Sequence, residues 1–170
     1  VDGIIEERRN TISIFNGPAP ILESFENPEA EIAFISQWIS DRLTEGIEPE
    51  EIGVFVRSEA ELNRAKSAVK ATDALYKVLD AKTSTTSGNI SICTMHLVKG
   101  LEFRAVAVMA CDDEIIPSQA RLAEAADISD LEEVYNTERH LLYVACTRAR
   151  DQLLVTSVEP ASEFLDDLRM

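Results

Sequence analysis

Short apolar runs alternate with amphipathic segments along most of the chain. The runs at Ile52–Val56, 90–95 and 105–111 are almost continuously apolar, a pattern typical of strands buried on both faces of a sheet. Shorter or alternating runs predict three further strands at 11–15, 76–79 and 152–156. The pattern therefore predicts a set of short strands spread over the whole chain.

Segments with apolar residues at helical spacing lie between these strands. They predict helices at about 28–44, 58–69, 129–147 and 161–168. Trp38 belongs to the apolar stripe of the first helix and is expected in the core, while Ser129 and Glu132 match a capping box at the start of the third. Strands that alternate with helices describe an α/β fold, a parallel sheet covered by helices on both faces.

Composition favours one intracellular domain. The 170 residues are 45% apolar, enough for one core, and the sequence has neither a membrane-spanning run nor a signal peptide. The three cysteines lie in apolar segments without a CxxC pair, which suits buried thiols in a reducing compartment. Cys93 and His96 have the spacing of zinc ligands, but no second ligand pair follows, so no metal site is predicted.

The net charge of −15 argues against a stand-alone nucleic-acid binder, because binding to phosphates requires a basic surface. The segment 94–104 differs from the rest, since it carries Lys99, Arg104 and a single acid, Glu102. Any contact with nucleic acid is therefore expected to be local and to be completed by surfaces outside this chain.

Four residues near strand and helix ends are candidates for chemistry. Gly100 permits a positive φ or a close backbone approach, and Lys99 beside it either supplies a cation to a site or is a solvated charge on a turn. Glu102 could accept hydrogen bonds from a ribose or simply be a charge at a strand edge. Arg148 at the end of a helix is either stabilised by the helix dipole or placed to contact a phosphate.

Two segments carry a family resemblance. ICTMHLVKGLEF at 92–103 and ERHLLYVACTRA at 138–149 resemble motifs V and VI of the UvrD/Rep family of superfamily 1 DNA helicases. The strand that ends at Arg57 is similar to a strand of that family, and Pro117 falls where the family usually has a proline between the two motifs. These matches keep the family's order and spacing over roughly the last two thirds of the chain.

The resemblance implies the second RecA-like motor domain of an enzyme that hydrolyses ATP with Mg²⁺ and moves along single-stranded DNA. By this resemblance Arg148 matches the arginine finger and Glu102 matches an acid that contacts the nucleotide sugar, and Gly100 is expected to line the ATP site with them. The positions implied to contact DNA are Thr94, His96, Lys99 and Arg57. Lys99 faces either the DNA or the domain interface, and Glu59 and Glu61 make a phosphate contact of Arg57 harder to sustain.

The chain lacks the family's motifs that bind the nucleotide phosphates and Mg²⁺. It has no G-x-x-x-x-G-K-[ST] phosphate loop and no Asp-Glu pair before motif V. We therefore expect residues 1–170 to be one domain of a larger protein, inactive alone, whose N-terminal RecA-like domain holds ATP and Mg²⁺. The short stretch between Ser58 and Asn89 leaves no room for the accessory domain of larger relatives. We expect a cytoplasmic protein, associated with the nucleoid if bacterial.

Two other functions compete with this one. A RecA-like domain with an acidic surface could be a non-catalytic protein-interaction module, in which the motif residues serve only as scaffold. A small hydrolase that uses His96 or His140 ranks last, because no nucleophile and carboxylate arrangement accompanies either histidine.

Overall fold

The computed structural model describes residues 19–169, which form one six-stranded sheet with helices on both faces. The strands are β1 (Ile21–Phe25), β2 (Ile52–Val56), β3 (Tyr76–Val78), β4 (Ile90–Thr94), β5 (Phe103–Val108) and β6 (Ala149–Val158). The helices are α1 (Pro28–Thr44), α2 (Leu62–Lys70), α3 (Gln119–Ala123) and α4 (Ile128–Cys146), and short 3₁₀ helices span Pro49–Glu51, Glu59–Glu61, Met95–Leu97 and Glu163–Leu168.

All strand pairs are parallel, and the order across the sheet is β1-β6-β5-β2-β4-β3. Every residue of β2 is buried, as the continuous apolar run at 52–56 predicts for a strand covered on both faces. The predicted α/β class, with a parallel sheet between helices, is confirmed.

The core has two layers, one on each face of the sheet. On one face α1 and α2 pack against the sheet, and Trp38 is 5% exposed in this layer, as its place in the apolar stripe predicts. On the other face α4 and the 3₁₀ helix near Phe164 cover the sheet. The buried side of α4 includes Leu142, Ala145 and Cys146.

The element boundaries differ from the sequence prediction in several elements. The strand predicted at 11–15 lies outside the described residues, and β1 at Ile21–Phe25 was missed because its short pattern mixes polar and apolar residues. Helix α4 is capped by Asp127, whose side chain accepts from the Asp130 amide, so the capping box predicted at Ser129 is wrong. The C-terminal segment is a 3₁₀ helix rather than an α-helix.

Strand β5 also ends earlier than the apolar run that predicts it. Ala110 has a positive φ of 58°, which an extended strand does not allow. Its amide donates to the Glu31 carboxylate at 3.0 Å instead of continuing the ladder. The apolar composition of 105–111 reflects burial, because Met109, Ala110 and Cys111 are all in the core.

The parallel arrangement creates two chemically different edges. At the carboxyl edge, Val56 of β2 pairs with Thr94 of β4, and Arg57 and Met95 follow directly. At the amino edge, Phe103 of β5 pairs with Ala149 of β6. A strand of six residues separates the edges by about 17 Å.

Candidate functional site

The segments 92–103 and 138–149 meet at the amino edge of the sheet. The Phe103 amide donates to the Arg148 carbonyl at 2.9 Å, where β5 and β6 begin side by side. The residues that precede Phe103 and those that end α4 therefore lie against each other. Their separation of some forty residues in sequence gives no direct indication of this contact.

Arg148 is held at this edge by neutral oxygen atoms. Its Nε donates to the Val144 carbonyl at 3.2 Å, one Nη donates to the Thr147 hydroxyl at 3.2 Å, and the other lies 3.5 Å from the Leu101 carbonyl. No Asp or Glu among residues 19–169 forms an ion pair with it. The guanidinium is thus oriented by the end of α4 while its charge is not neutralised by a carboxylate.

The other candidates at this edge belong to the loop before β5. Gly100 has a φ of 84°, and nothing lies within 4 Å of the position that a Cβ would take, so the glycine is required by its backbone conformation and not by close packing. Lys99 and Glu102 are exposed on either side of the turn. Arg148 therefore lies beside the loop that carries the exposed Glu102.

Thr94, His96 and Arg57 lie at the carboxyl edge instead. Thr94 ends β4 and is partly exposed, and the exposed His96 follows in the 3₁₀ helix Met95–Leu97. The structure therefore divides the predicted residues into two groups, one at each edge of the sheet. Gly100, Glu102 and Arg148 lie at the amino edge rather than beyond the carboxyl ends of the strands.

Arg57 is buried, with 6% exposure, and makes a bidentate pair with Glu138 of α4. Its Nε lies 2.9 Å from Glu138 Oε1, and one Nη lies 2.6 Å from Oε2. Because the guanidinium faces Glu138, it is not presented at the surface. A direct DNA contact of Arg57 stays a prediction, and this geometry favours an indirect role.

Glu138 is the centre of this cluster. It is 1% exposed, and it also accepts from the Ser118 amide at 2.6 Å and from Arg121 at 2.9 Å. Burial by itself raises the pKa of Glu138, but the hydrogen bonds from Arg57 and from the Ser118 amide outweigh it and leave the pKa below its usual value. The carboxylate is therefore ionised, and two arginines beside one acid give the cluster an excess positive charge.

His96 connects this cluster to the surface. Its Nε2 lies 3.0 Å from an Nη of Arg57. Partial burial first, and then the positive charge of Arg57, lower the pKa of His96. The imidazole is therefore neutral at pH 7 and lies at the rim of a positively charged cluster.

The sequence interpretation assigned no role to Glu138, Ser118 or Arg121. A signal for Glu138 was present, because it lies three residues after Tyr135 and four before Leu142, on the apolar face of the helix. A carboxylate on such a face is expected to have a buried partner. The identity of that partner could not be read from the sequence.

The cysteines are not arranged for metal binding. Burial raises the pKa of Cys93 and of Cys146 to about 12. Within residues 19–169 no three His, Cys, Asp or Glu side chains are grouped to hold a metal ion. Nor does any helix in that range have the length and apolar character needed to span a membrane.

Comparison with known proteins connects this fold to one family. The model of the UvrD-like helicase C-terminal domain matches residues 68–160, just over half of the chain. A probable DNA helicase II homolog of Rickettsia conorii is 31% identical over 120 residues, 71% of this chain and 18% of that protein. The ATP-dependent DNA helicase PcrA of Bacillus subtilis is 33% identical over 88 residues, 51% of this chain and 11% of that protein.

A solved structure has the same fold. The crystal structure of the C-terminal domain of a possible DNA helicase from Lactobacillus plantarum WCFS1 aligns with a TM-score of 0.66 and 22% identity, covering 94% of this chain and 88% of that one. The chain spans less than a fifth of the length of the helicases that it matches.

Proposed function

Because this chain belongs to the UvrD-like helicase C-terminal domain family, we propose that it is the second motor domain of an ATP-dependent DNA helicase or translocase. In this role its amino edge faces ATP bound mainly by an N-terminal RecA-like domain of the same protein. Its carboxyl edge contributes part of the single-stranded DNA surface. The isolated chain lacks a phosphate loop and is expected not to turn over ATP.

The observation that carries the proposal is the environment of Arg148. A guanidinium held only by neutral oxygens retains its full charge for an incoming anion. An arginine placed against the γ-phosphate stabilises the charge that spreads over the phosphoryl oxygens during transfer. Glu102, exposed beside it, is available to accept hydrogen bonds from a ribose.

Magnesium chemistry belongs to the other domain in this proposal. Mg²⁺ prefers oxygen ligands such as carboxylates, and residues 19–169 contain no group of side chains arranged to hold it. The contribution of this domain is a positioned cation and a nucleotide-sugar contact.

The charge distribution supports a local DNA contact. The chain has a net charge of −15, but the cluster of Arg57, Arg121 and Glu138 is positive and lies directly beneath His96. Thr94 and His96 are accessible there and carry hydrogen-bonding side chains. They are suited to backbone contacts that do not depend on base sequence.

The test of the nucleotide role is Arg148→Ala in the full-length protein. DNA-stimulated ATP turnover should fall by about 10³-fold or more, because an arginine finger contributes about 10³ to 10⁵ to such rates. The fold should persist, since Phe103 contacts the backbone of Arg148 and not its side chain. Arg150→Ala is the matched control, because Arg150 is exposed nearby and already paired with Asp151 at 3.4 Å. Near-normal turnover in Arg148→Ala would remove the arginine-finger role.

The DNA role is tested by Thr94→Ala and His96→Ala in the same protein. Both should weaken binding of single-stranded oligonucleotides of any sequence by similar factors. If the full-length protein neither hydrolyses ATP nor binds single-stranded DNA, the non-catalytic interaction module becomes the better interpretation.

A further inference from the structure

The contact between His96 and Arg57 determines where the imidazole carries its proton. A guanidinium only donates hydrogen bonds, so the Nε2 atom of His96 must accept at 3.0 Å from Arg57. A neutral imidazole has one donor and one acceptor nitrogen, and its proton is therefore on Nδ1. Nδ1 makes no hydrogen bond to the described part of the chain, and the ring is exposed.

Arg57 is itself held in place from behind. Arg57 donates two hydrogen bonds to Glu138, at 2.9 and 2.6 Å. Glu138 accepts four hydrogen bonds in all, from Arg57, Ser118 and Arg121. Rotating Arg57 away would leave a buried carboxylate short of two hydrogen bonds, which is strongly disfavoured. The orientation of Arg57, and with it the direction of its donor toward His96, is thus determined by α4 and the segment before α3.

We propose that Arg57 and Glu138 are positioning residues that hold His96 as a neutral imidazole with its Nδ1–H presented to the backbone of single-stranded DNA. This inference rests on the proposed DNA contact of His96. It assigns Arg57 an action through His96 in place of a phosphate contact of its own. The groups that face the ring are Arg57, Arg121 and Glu138, and the excess positive charge among them opposes protonation of the imidazole.

The first test is the tautomer of His96 in this chain, read from the ¹⁵N chemical shifts of the imidazole nitrogens at pH 8. The chain has two histidines, and the exposed His140, which contacts none of these groups, is the internal reference. We expect the Nδ1–H form at His96 and the ordinary preference for Nε2–H at His140. An Nε2–H form at His96 in the unmodified chain would overturn the inference without any variant.

Variants then test the cause of the tautomer. Arg57→Gln should return His96 to the pattern of His140, and Glu138→Gln should do so in part, since it loosens Arg57. If Arg57→Gln fails to fold, Arg57→Lys keeps the charge but loses the planar fork and should also broaden or shift the His96 signals. A His96 tautomer that does not change in a folded Arg57 variant would show that Arg57 does not position the ring.

The functional test uses oligothymidylate binding by the full-length protein. His96→Ala and Arg57→Gln should each weaken binding by about tenfold, the value of one hydrogen bond to a charged group. The double variant should lose no more than either single variant, because both remove the same contact. His140→Gln is the control and should bind normally.

The outcomes separate this inference from the proposed function. A loss in His96→Ala with normal binding in Arg57→Gln would overturn the positioning role and leave the DNA contact intact. Normal binding in His96→Ala would overturn the DNA contact, and with it the functional half of this inference. The tautomer would then stand as a structural property alone.

Discussion

Arg64 lies between two carboxylates at the carboxyl edge of the sheet, and its replacement tests how strongly this buried charge network holds the fold. Its Nε lies 2.7 Å from Glu31 of α1, and its two Nη atoms lie 3.0 and 3.1 Å from Asp112, which follows β5. Glu31 also accepts from Ala110 and Thr156, and Asp112 accepts from the Val158 amide. One guanidinium therefore joins α2, which carries Arg64, to α1 and to the segment that follows β5.

The expected magnitude follows from burial. The side chain of Arg64 is 14% exposed and that of Glu31 is 0% exposed, so Arg64→Met leaves a fully buried carboxylate without its cation. Removing one partner of a buried pair costs about 3–5 kcal/mol. Glu31 still accepts hydrogen bonds from the Ala110 amide and the Thr156 hydroxyl in the variant, so its carboxylate remains partly compensated. We therefore expect a loss of unfolding free energy near the lower value, about 3 kcal/mol. This is a large part of the 5–15 kcal/mol typical of a whole domain.

The assay is equilibrium unfolding in urea at pH 7, with the slope m compared among variants. Arg104→Met is the matched control, because Arg104 pairs with Asp151 at 2.9 Å but is 37% exposed. An exposed pair of this kind is screened by water and contributes much less than a buried one. Adding Glu31→Gln to Arg64→Met should recover part of the loss by removing the uncompensated charge. An Arg64→Met loss no greater than that of Arg104→Met would refute the reasoning.

Three further predictions concern packing, capping and pH. Gly53→Ala should destabilise the fold by about 1–3 kcal/mol in thermal or urea unfolding, because the new Cβ would lie 2.9 Å from the buried Phe103 ring. Asp127→Ala should cost about 1 kcal/mol in the same assay, and Ser129→Ala should cost almost nothing, since Asp127 is the residue that caps α4. Because the pKa of Glu138 is lower in the folded protein than in the unfolded chain, its ionised carboxylate stabilises the fold at pH values above about 4.3, the ordinary pKa of a glutamate. This contribution to the free energy of unfolding is lost as the pH falls from that value through the pKa of Glu138 in the folded state. The stability difference between the unmodified chain and Glu138→Gln should therefore shrink below about pH 4.3, and a difference that is constant down to pH 3 would contradict it.

The parts of the fold that could be predicted are those specified by local apolar patterns. Strand β2 and helix α1 were located correctly, because a continuous apolar run and an apolar stripe with Asn27 and Pro28 before it are local signals. The end of β5 could not be predicted, since the positive φ of Ala110 depends on a hydrogen bond to Glu31, 79 residues away. The cap of α4 was also misplaced, because Asp127 and Ser129 lie two residues apart and both are suitable cap residues, and the folded backbone uses Asp127.

The sequence by itself determined the α/β class, the family and the two segments that carry the candidate residues, because apolar periodicity and motif spacing are properties of neighbouring positions. The tertiary structure decided how those residues are grouped. Because β4 and β5 are parallel, the segment 94–103 runs from the carboxyl edge of the sheet to the amino edge, and His96 and Glu102 lie at different edges. The pairing of β5 with β6 brings Arg148 beside the loop before β5. It also joined Arg57 to Glu138 across 81 residues. Such a pairing depends on which helix covers which strand, and this cannot be predicted from the local pattern of apolar residues.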